Sequence, residues 1–176
     1  MKGLKCFYTI SVLCLILNSC DDKFKPSKTD VSLADSPSQE SWNSIVSFSD
    51  SGFTKAVLSA GHISVYSAKG YTLIDSGASV DFFKNGEKVS VLTGKNGRIN
   101  DKTKDIEIYD SVTVVNNEGS ELKTQKLLWN NKTQKVSSDV FVSIKTPNEA
   151  IEGIGFESDQ NLKNYKIYKV TGTFAK

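Results

Sequence analysis

The 176-residue sequence is poor in the side chains that carry most metal and enzyme chemistry. It has one histidine, His62, three cysteines and one methionine. This composition argues against a Cys/His metal cluster and against a Ser-His-Asp triad. The sequence also has no large excess of positive or negative charge: it contains 22 basic and 20 acidic residues, for a formal net charge of +2. Nothing therefore favours nucleic-acid binding. We expect a non-enzymatic protein without catalytic residue, metal or cofactor.

The sequence also lacks an apolar run of the roughly 20 residues that a membrane-spanning helix needs. Its first part has Lys2 and Lys5, followed by an uncharged, mostly apolar run from Cys6 to Leu17. A basic start, a short apolar run and small residues after it are typical of a secretory signal peptide. We assign residues 1–19 to this signal, with a short uncleaved anchor as the alternative.

The end of the apolar run, Leu17-Asn18-Ser19-Cys20, resembles the bacterial lipobox, although asparagine is a less usual residue at its position. The resemblance implies that Cys20 becomes the lipidated first residue of the mature protein, bearing acyl chains such as palmitate. Two or three chains would hold a domain on a membrane durably, at about 0.8 kcal/mol per buried CH₂. The following Asp21-Asp22 resembles an inner-membrane retention signal. We expect a periplasmic location, anchored by lipid, with the inner membrane favoured.

The rest of the chain divides into a tether and one domain. Residues 20–44 hold the lipidated cysteine and a stretch rich in Ser, Asp, Lys and Pro, which includes two of the three prolines and predicts a flexible linker. Residues 45–176 alternate apolar and polar positions in short runs, as strands with one buried face do. Segments of this kind include Ile63–Tyr66, Val89–Val91 and Val140–Ile144.

Turn signals separate these runs, among them Asn85-Gly86, Asn96-Gly97 and Pro147-Asn148. Glu121–Trp129 is also compatible with a helix, but its neighbours favour a strand. We predict an all-β domain, either a curved β-jelly-roll or a slab-like sandwich. His62 begins a strand and is interpreted as a surface or turn histidine.

An ordered series of motifs then resembles the LptC family of membrane-anchored periplasmic components of lipopolysaccharide export. The series comprises Val112-Thr-Val114 with Asn117-Glu-Gly119 and Leu122-Lys-Thr124, then Ser138-Asp139 with Val142-Ser-Ile144, then Gly153-Ile-Gly155-Phe156. The resemblance covers most of residues 45–174 and is strongest over 92–156. The sequence departs from the better-known members at its N-terminus, where they keep an uncleaved transmembrane helix and this sequence has a lipobox-like signal.

This resemblance implies a curved, OstA/LptA-like β-jelly-roll whose open, V-shaped interior carries the acyl chains of lipid A. On this basis a set of apolar residues is predicted to line the lipid path, with ordinary core packing as the alternative reading for each. The set is Phe82, Ile108, Val112, Val114, Leu122, Val140, Val142, Ile144, Ile151 and Phe156; Val91 and Ile167 belong to the same apolar pattern.

The function implied is a lipid-anchored subunit that passes lipopolysaccharide from the inner-membrane ABC exporter to the next jelly-roll of a transport bridge. Its partners would be lipopolysaccharide, the membrane, and the jelly-rolls of other export components. Those jelly-rolls would pair with free edge strands near Ile45–Phe48 and Ile167–Phe174. A β-sandwich lipoprotein that binds glycans or acts in envelope assembly is the rival hypothesis. Its carbohydrate site would need exposed aromatic residues, and the scattered Tyr66 and Tyr71 form no evident platform, which weighs against it.

Overall fold

A computed structural model describes residues 35–175 of the chain. Within this range the chain forms one antiparallel sheet, which confirms the all-β prediction, jelly-roll included. No helix in the described part is long and apolar enough to cross a membrane. The strands are β1 (Gln39–Asp50), β2 (Phe53–Tyr66), β3 (Tyr71–Lys84), β4 (Glu87–Gly94), β5 (Asn96–Asn100), β6 (Ile106–Asn116), β7 (Glu121–Asn130), β8 (Lys135–Lys145), β9 (Glu149–Asp159) and β10 (Tyr165–Ala175).

The sheet follows the chain from one edge to the other. Its order is β1-β2-β3-β4-β6-β7-β8-β9-β10, and β5 pairs with β3 and β6. Strands β4 and β5 therefore occupy the same position between β3 and β6, and they are two halves of one strand interrupted at Lys95. Among residues 35–175, strands β1 and β10 each have one neighbour only, so both are edges of the described sheet.

The predicted start of the domain at residue 45 is wrong by several residues. Ser38 N donates to Val65 O at 2.7 Å, and β1 then pairs with β2 from Gln39 onward. Residues 39–44 are thus strand rather than tether. Polar composition concealed them because β1 is an edge strand, whose outward positions are left to water.

One predicted turn is also wrong. Asn96-Gly97 begins β5 and does not form a hairpin turn. Gly97 is required for a different reason: a Cβ there would lie 2.6 Å from Ile108 Cδ1 and 2.9 Å from Glu107 O. The glycine therefore marks a close approach between neighbouring strands rather than a reversal of the chain.

A line of ladder interruptions crosses the whole sheet through its long strands; we call it the crease. At these positions β-bulges or backbone angles with positive φ break the regular pairing and bend the strands. The crease residues are Asn43, Gly61, Ser76-Gly77, Lys95, Asp110-Ser111, Gln125, Asp139-Val140, Gly155 and Tyr168.

Bonds outside the regular ladder satisfy polar groups along the crease. Lys95 O accepts from Gly77 N and Lys95 N donates to Asp110 O, both at 3.0 Å. The carboxylate of Asp110 also accepts from Asn96 Nδ2 at 2.8 Å. Thr124 Oγ1 donates to Phe141 O at 2.8 Å. Polar groups that leave the regular ladder find other partners here, so the crease is a built feature of the fold.

The crease divides the sheet into two halves. The lower half-sheet contains 44–50, 53–60, 78–84, 87–94, 112–116, 121–124, 141–145, 149–154 and 169–175; the upper half-sheet contains 39–42, 62–66, 71–75, 96–100, 106–109, 126–130, 135–138, 156–159 and 165–167. Side chains from both halves form one buried apolar cluster. The halves therefore pack face to face, with the core between them.

Candidate functional site

The interior between the half-sheets is centred on Trp129, a fully buried side chain of the upper half-sheet. Its ring meets Phe82 of the lower half-sheet with a centroid separation of 5.6 Å, and Phe48 of the same half with 5.8 Å. These tilted and edge-on contacts are favourable aromatic geometries. The tryptophan thus joins β7 to β1 and β3 across the interior.

Most of the predicted path residues lie in this interior. Eight of the ten are buried, each at most 1% exposed. These are Phe82, Ile108, Val112, Val114, Leu122, Val142, Ile144 and Phe156. The open V implied by the resemblance is therefore closed over much of its length, and these side chains pack against protein.

Two members of the predicted set behave differently. Ile151 is partly buried and packs against the edge of the core cluster. Val140 lies in the crease beside Asp139 and is partly buried without belonging to that cluster. Val91, from the wider apolar pattern, also points away from the core, because Ser90 and Leu92 occupy the inward positions of β4.

A cavity of about 620 Å³ opens into the interior next to the edge strand β1. Its apolar wall contains Val46 and Phe48 of β1 together with Ile63, Val65 and Ile99 of the upper half-sheet. Phe48 also contacts Trp129, so the cavity is continuous with the core. A cavity of this size is in the usual range for a small-molecule site.

Polar side chains line part of the same cavity. Asp101, Lys104 and Asn131 stand on turns at its border, and Thr72 Oγ1 donates to Asp101 Oδ1 at 2.9 Å. A ligand with a long apolar part and a polar end would find partners for both.

The last residue of β9 and the connection to β10, residues 159–164 together, close the interior farther along; we call this segment the strap. Gln160 is 4% exposed, and its amide connects the two halves. Gln160 Nε2 donates to Phe83 O of the lower half-sheet at 2.7 Å, and its Oε1 accepts from Trp129 Nε1 of the upper half-sheet at 3.3 Å. Ser90 Oγ donates to the main-chain carbonyl of Gln160.

The next residues of the strap extend this closure. Asn161 O accepts from Asn116 Nδ2 at 2.8 Å, and Leu162 is buried in the core cluster at 2% exposure. Lys163 forms an ion pair with Glu118 on the turn between β6 and β7. Sequence reasoning missed the strap, because its polar residues have no periodicity and resemble an ordinary surface loop.

Tyr165 adds one more link between the halves, at the β10 end. Its hydroxyl donates to Glu149 Oε1 at 2.7 Å, and its ring stacks near Phe156 with a centroid separation of 6.4 Å. Burial, followed by this bond to a carboxylate, raises the pKa of Tyr165 to about 12. The hydroxyl therefore remains a donor throughout the physiological pH range.

His62 is not the surface or turn residue that the sequence predicts. It is largely buried within β2, with Nδ1 3.1 Å from both carboxylate oxygens of Asp75 on β3 and Nε2 3.5 Å from Glu40 Oε1 on β1. The hydrogen bond from His62 lowers the pKa of Asp75. Trp42 stacks on the imidazole at 4.8 Å. These contacts fasten the edge strand to the sheet.

Both edge strands carry exposed apolar side chains. On β1, Trp42 is 64% and Ile45 73% exposed; on β10, Tyr168, Val170 and Phe174 are each more than half exposed. The segments predicted to dock partners, residues 45–48 and 167–174, lie within these two strands. Free strand edges with apolar side chains are competent to pair with further strands.

Within residues 35–175, no group of three His, Cys, Asp or Glu side chains is arranged to hold a metal ion. The predicted signal peptide, the lipid-attachment residue Cys20 and the tether as far as residue 34 lie outside the described residues.

Fold and interior together define an open antiparallel β-jelly-roll with an apolar interior, one partly open cavity and two unpaired edges. The model of one protein family, lipopolysaccharide-assembly, LptC-related, matches residues 8–175. The chain belongs to this family, nearly over its whole length. No curated protein matches the sequence. Membership assigns the protein a role in lipopolysaccharide transport and indicates an envelope-associated, periplasmic location, in a family of transport-bridge components rather than enzymes.

Proposed function

We propose that the protein is a lipid-anchored periplasmic subunit that receives lipopolysaccharide from the inner-membrane ABC exporter and passes it to the next jelly-roll of the bridge. The observation that carries the proposal is the apolar interior, which opens at the cavity beside β1 and continues through Phe48 to Trp129. The protein itself supplies no covalent chemistry in this scheme.

The energetics of transfer support an interior of this kind. Exposing a saturated chain of about 14 carbons to water costs on the order of 10 kcal/mol, at about 0.8 kcal/mol per CH₂. A lipid with several chains would multiply that cost, so a carrier must provide apolar contact throughout the transfer. The buried set described above provides such contact, with Val, Ile, Leu and Phe at its inward positions.

The two edges support an arrangement in series. Strands β1 and β10 lie at opposite ends of the sheet. Two different neighbours could therefore each add a strand, one at β1 and the other at β10, without competing for the same site. Cross-linkers in 45–48 and in 167–174 are expected to capture different jelly-roll partners. Capture of the same partner from both segments would contradict the proposed order.

Photolabelling of lipopolysaccharide in cells tests the proposed path. A photoreactive residue at Ile144, which faces the interior, is expected to label lipopolysaccharide. The matched control is its neighbour Ser143, which is on the opposite face of β8 because side chains alternate along a strand. Labelling at neither position, or at both equally, would refute the proposed path through the interior.

A further inference from the structure

The structure assigns the strap, residues 159–164, the role of a lid that must swing away from the lower half-sheet before acyl chains can enter the deep interior. The inference rests on the proposed function and names the element that regulates access to the same site. It is based on three observations: how full the interior is, where the open space ends, and what kind of bonds hold the strap.

The open space ends where the strap begins to close the interior. The cavity beside β1 reaches Phe48, which contacts Trp129, and Trp129 in turn donates its indole N–H to Gln160 of the strap. Phe82, which also contacts Trp129, and Val114 are fully buried, and Leu162 of the strap is part of the same cluster. A lipid with several chains cannot occupy this region while Leu162 fills it.

The bonds that hold the strap on the lower half-sheet are of a releasable kind. They run from Gln160 to Phe83 O, from Ser90 to the Gln160 carbonyl and from Asn116 to the Asn161 carbonyl, with the Lys163–Glu118 ion pair beside them. Each uses a side chain on at least one side, and none is a rung of the β-ladder. Water can replace such bonds one at a time, whereas a ladder opens cooperatively.

Hydrogen bonds within the strap also give it a defined shape of its own. The Asp159 carboxylate accepts from Lys163 N at 2.9 Å and from Asn164 Nδ2 at 2.8 Å, and Leu162 N donates to Asp159 O at 3.1 Å. These bonds lie within the loop and do not involve the lower half-sheet. The loop can therefore move as a preformed unit.

A staple across the lid provides the test. Glu118→Cys and Lys163→Cys in the full chain would be joined by a short bis-maleimide, which holds the strap on the lower half-sheet. The matched control joins Lys135→Cys to Glu157→Cys, an equally exposed ion pair within the upper half-sheet, at 2.6 Å in the native chain. Cys20 is the only other cysteine after residue 19 and is common to both proteins.

Photoreactive residues at two depths report on lipopolysaccharide. Val65 lines the outer cavity, and Val114 is fully buried on β6, two residues before Asn116, whose side chain holds the strap. With the staple at 118 and 163, we expect labelling at Val65 to persist and labelling at Val114 to fall at least tenfold. The control staple should leave both unchanged. Without a staple, Gln160→Ala should increase labelling at Val114, since it removes the side-chain bonds to Phe83 O and Trp129.

Each contrary outcome is distinguishable. Unchanged labelling at Val114 in the stapled protein would overturn the lid while leaving the carrier function intact. Equal loss with the control staple would overturn it as well, because closure at the strap would then have no special effect. Absence of labelling at both depths in the unstapled protein would refute the proposed function itself, and the lid with it.

Discussion

The variant Val142→Asp tests whether water reaches the interior of the lipid-free protein. Val142 is fully buried on β8, opposite Thr124 on β7 and Gly153 on β9. The hydroxyl of Thr124, its polar neighbour across the strand pair, already donates to Phe141 O. An aspartate at this position would therefore find no ready partner, and its charged form would be strongly disfavoured.

The expected cost follows from two contributions. Keeping the aspartate neutral at pH 7 requires a pKa about 3 units above its ordinary value, which corresponds to about 4 kcal/mol. Loss of the buried valine side chain adds about 2 kcal/mol. The sum of about 6 kcal/mol is comparable with the whole stability of a typical domain, 5–15 kcal/mol. We expect Val142→Asp to be largely unfolded or close to its unfolding midpoint at neutral pH.

The pH dependence gives this prediction its signature. A buried aspartate binds its proton more tightly in the folded state than in the unfolded state, so the variant should lose stability as pH rises from about 4 to 7. Urea unfolding followed by fluorescence of the buried Trp129 measures this. Ser143→Asp, at the half-buried outward neighbour, is the control and should cost far less. A Val142→Asp protein as stable as wild type at pH 7 would refute the dry interior and indicate a hydrated channel.

Three shorter predictions test other features. Cys20→Ala should abolish incorporation of radiolabelled fatty acid, because the thiol is the proposed attachment point; persistent label would contradict the lipobox. Gly153→Ala should destabilise by several kcal/mol, since its Cβ would lie 2.4 Å from Lys169 O, and a wild-type urea midpoint would contradict that contact. Burial raises the pKa of Tyr165 to about 12, so spectrophotometric titration should show one tyrosine that ionises at higher pH than the others and that Tyr165→Phe removes. The free energy of unfolding should fall as pH rises above 10, because the tyrosine ionises at lower pH in the unfolded chain than in the folded one.

The sequence predicts that the domain consists of β-strands, but it does not always predict which face of a strand points into the core. The alternating runs at residues 112–114 and 140–144 lie in observed strands, and Val112, Val114, Val142 and Ile144 are all buried. On β4 the same pattern misleads, because Val89 and Val91 alternate as clearly as Ser90 and Leu92. Ser90 turns inward since its hydroxyl bonds to the strap, a contact between residues 70 positions apart in sequence.

Bulges account for another failure. Val140 and Val142 are two positions apart and should share a face, yet only Val142 is in the core. Asp139 and Val140 lie at the crease, where the pairing with β9 shifts between Ser138 and Phe141. A period-two pattern does not reveal where a bulge resets the alternation. Sequence reasoning also missed the strap and the burial of His62, because both depend on contacts with strands that are distant in the sequence.

The crease has a consequence for which strands the edges can accept. The pairing of β10 with β9 is interrupted at Tyr168, so a strand that pairs along the full length of β10 must accommodate the same interruption or else leave the sheet there. Such a strand needs a glycine, an asparagine or a similar residue tolerant of positive φ near its middle, as Gly155 serves in β9. Flat, regular strands, which are prone to edge-to-edge aggregation, would fit only half of the edge. The crease thereby favours pairing with strands that carry a matching interruption and disfavours pairing with flat, regular strands.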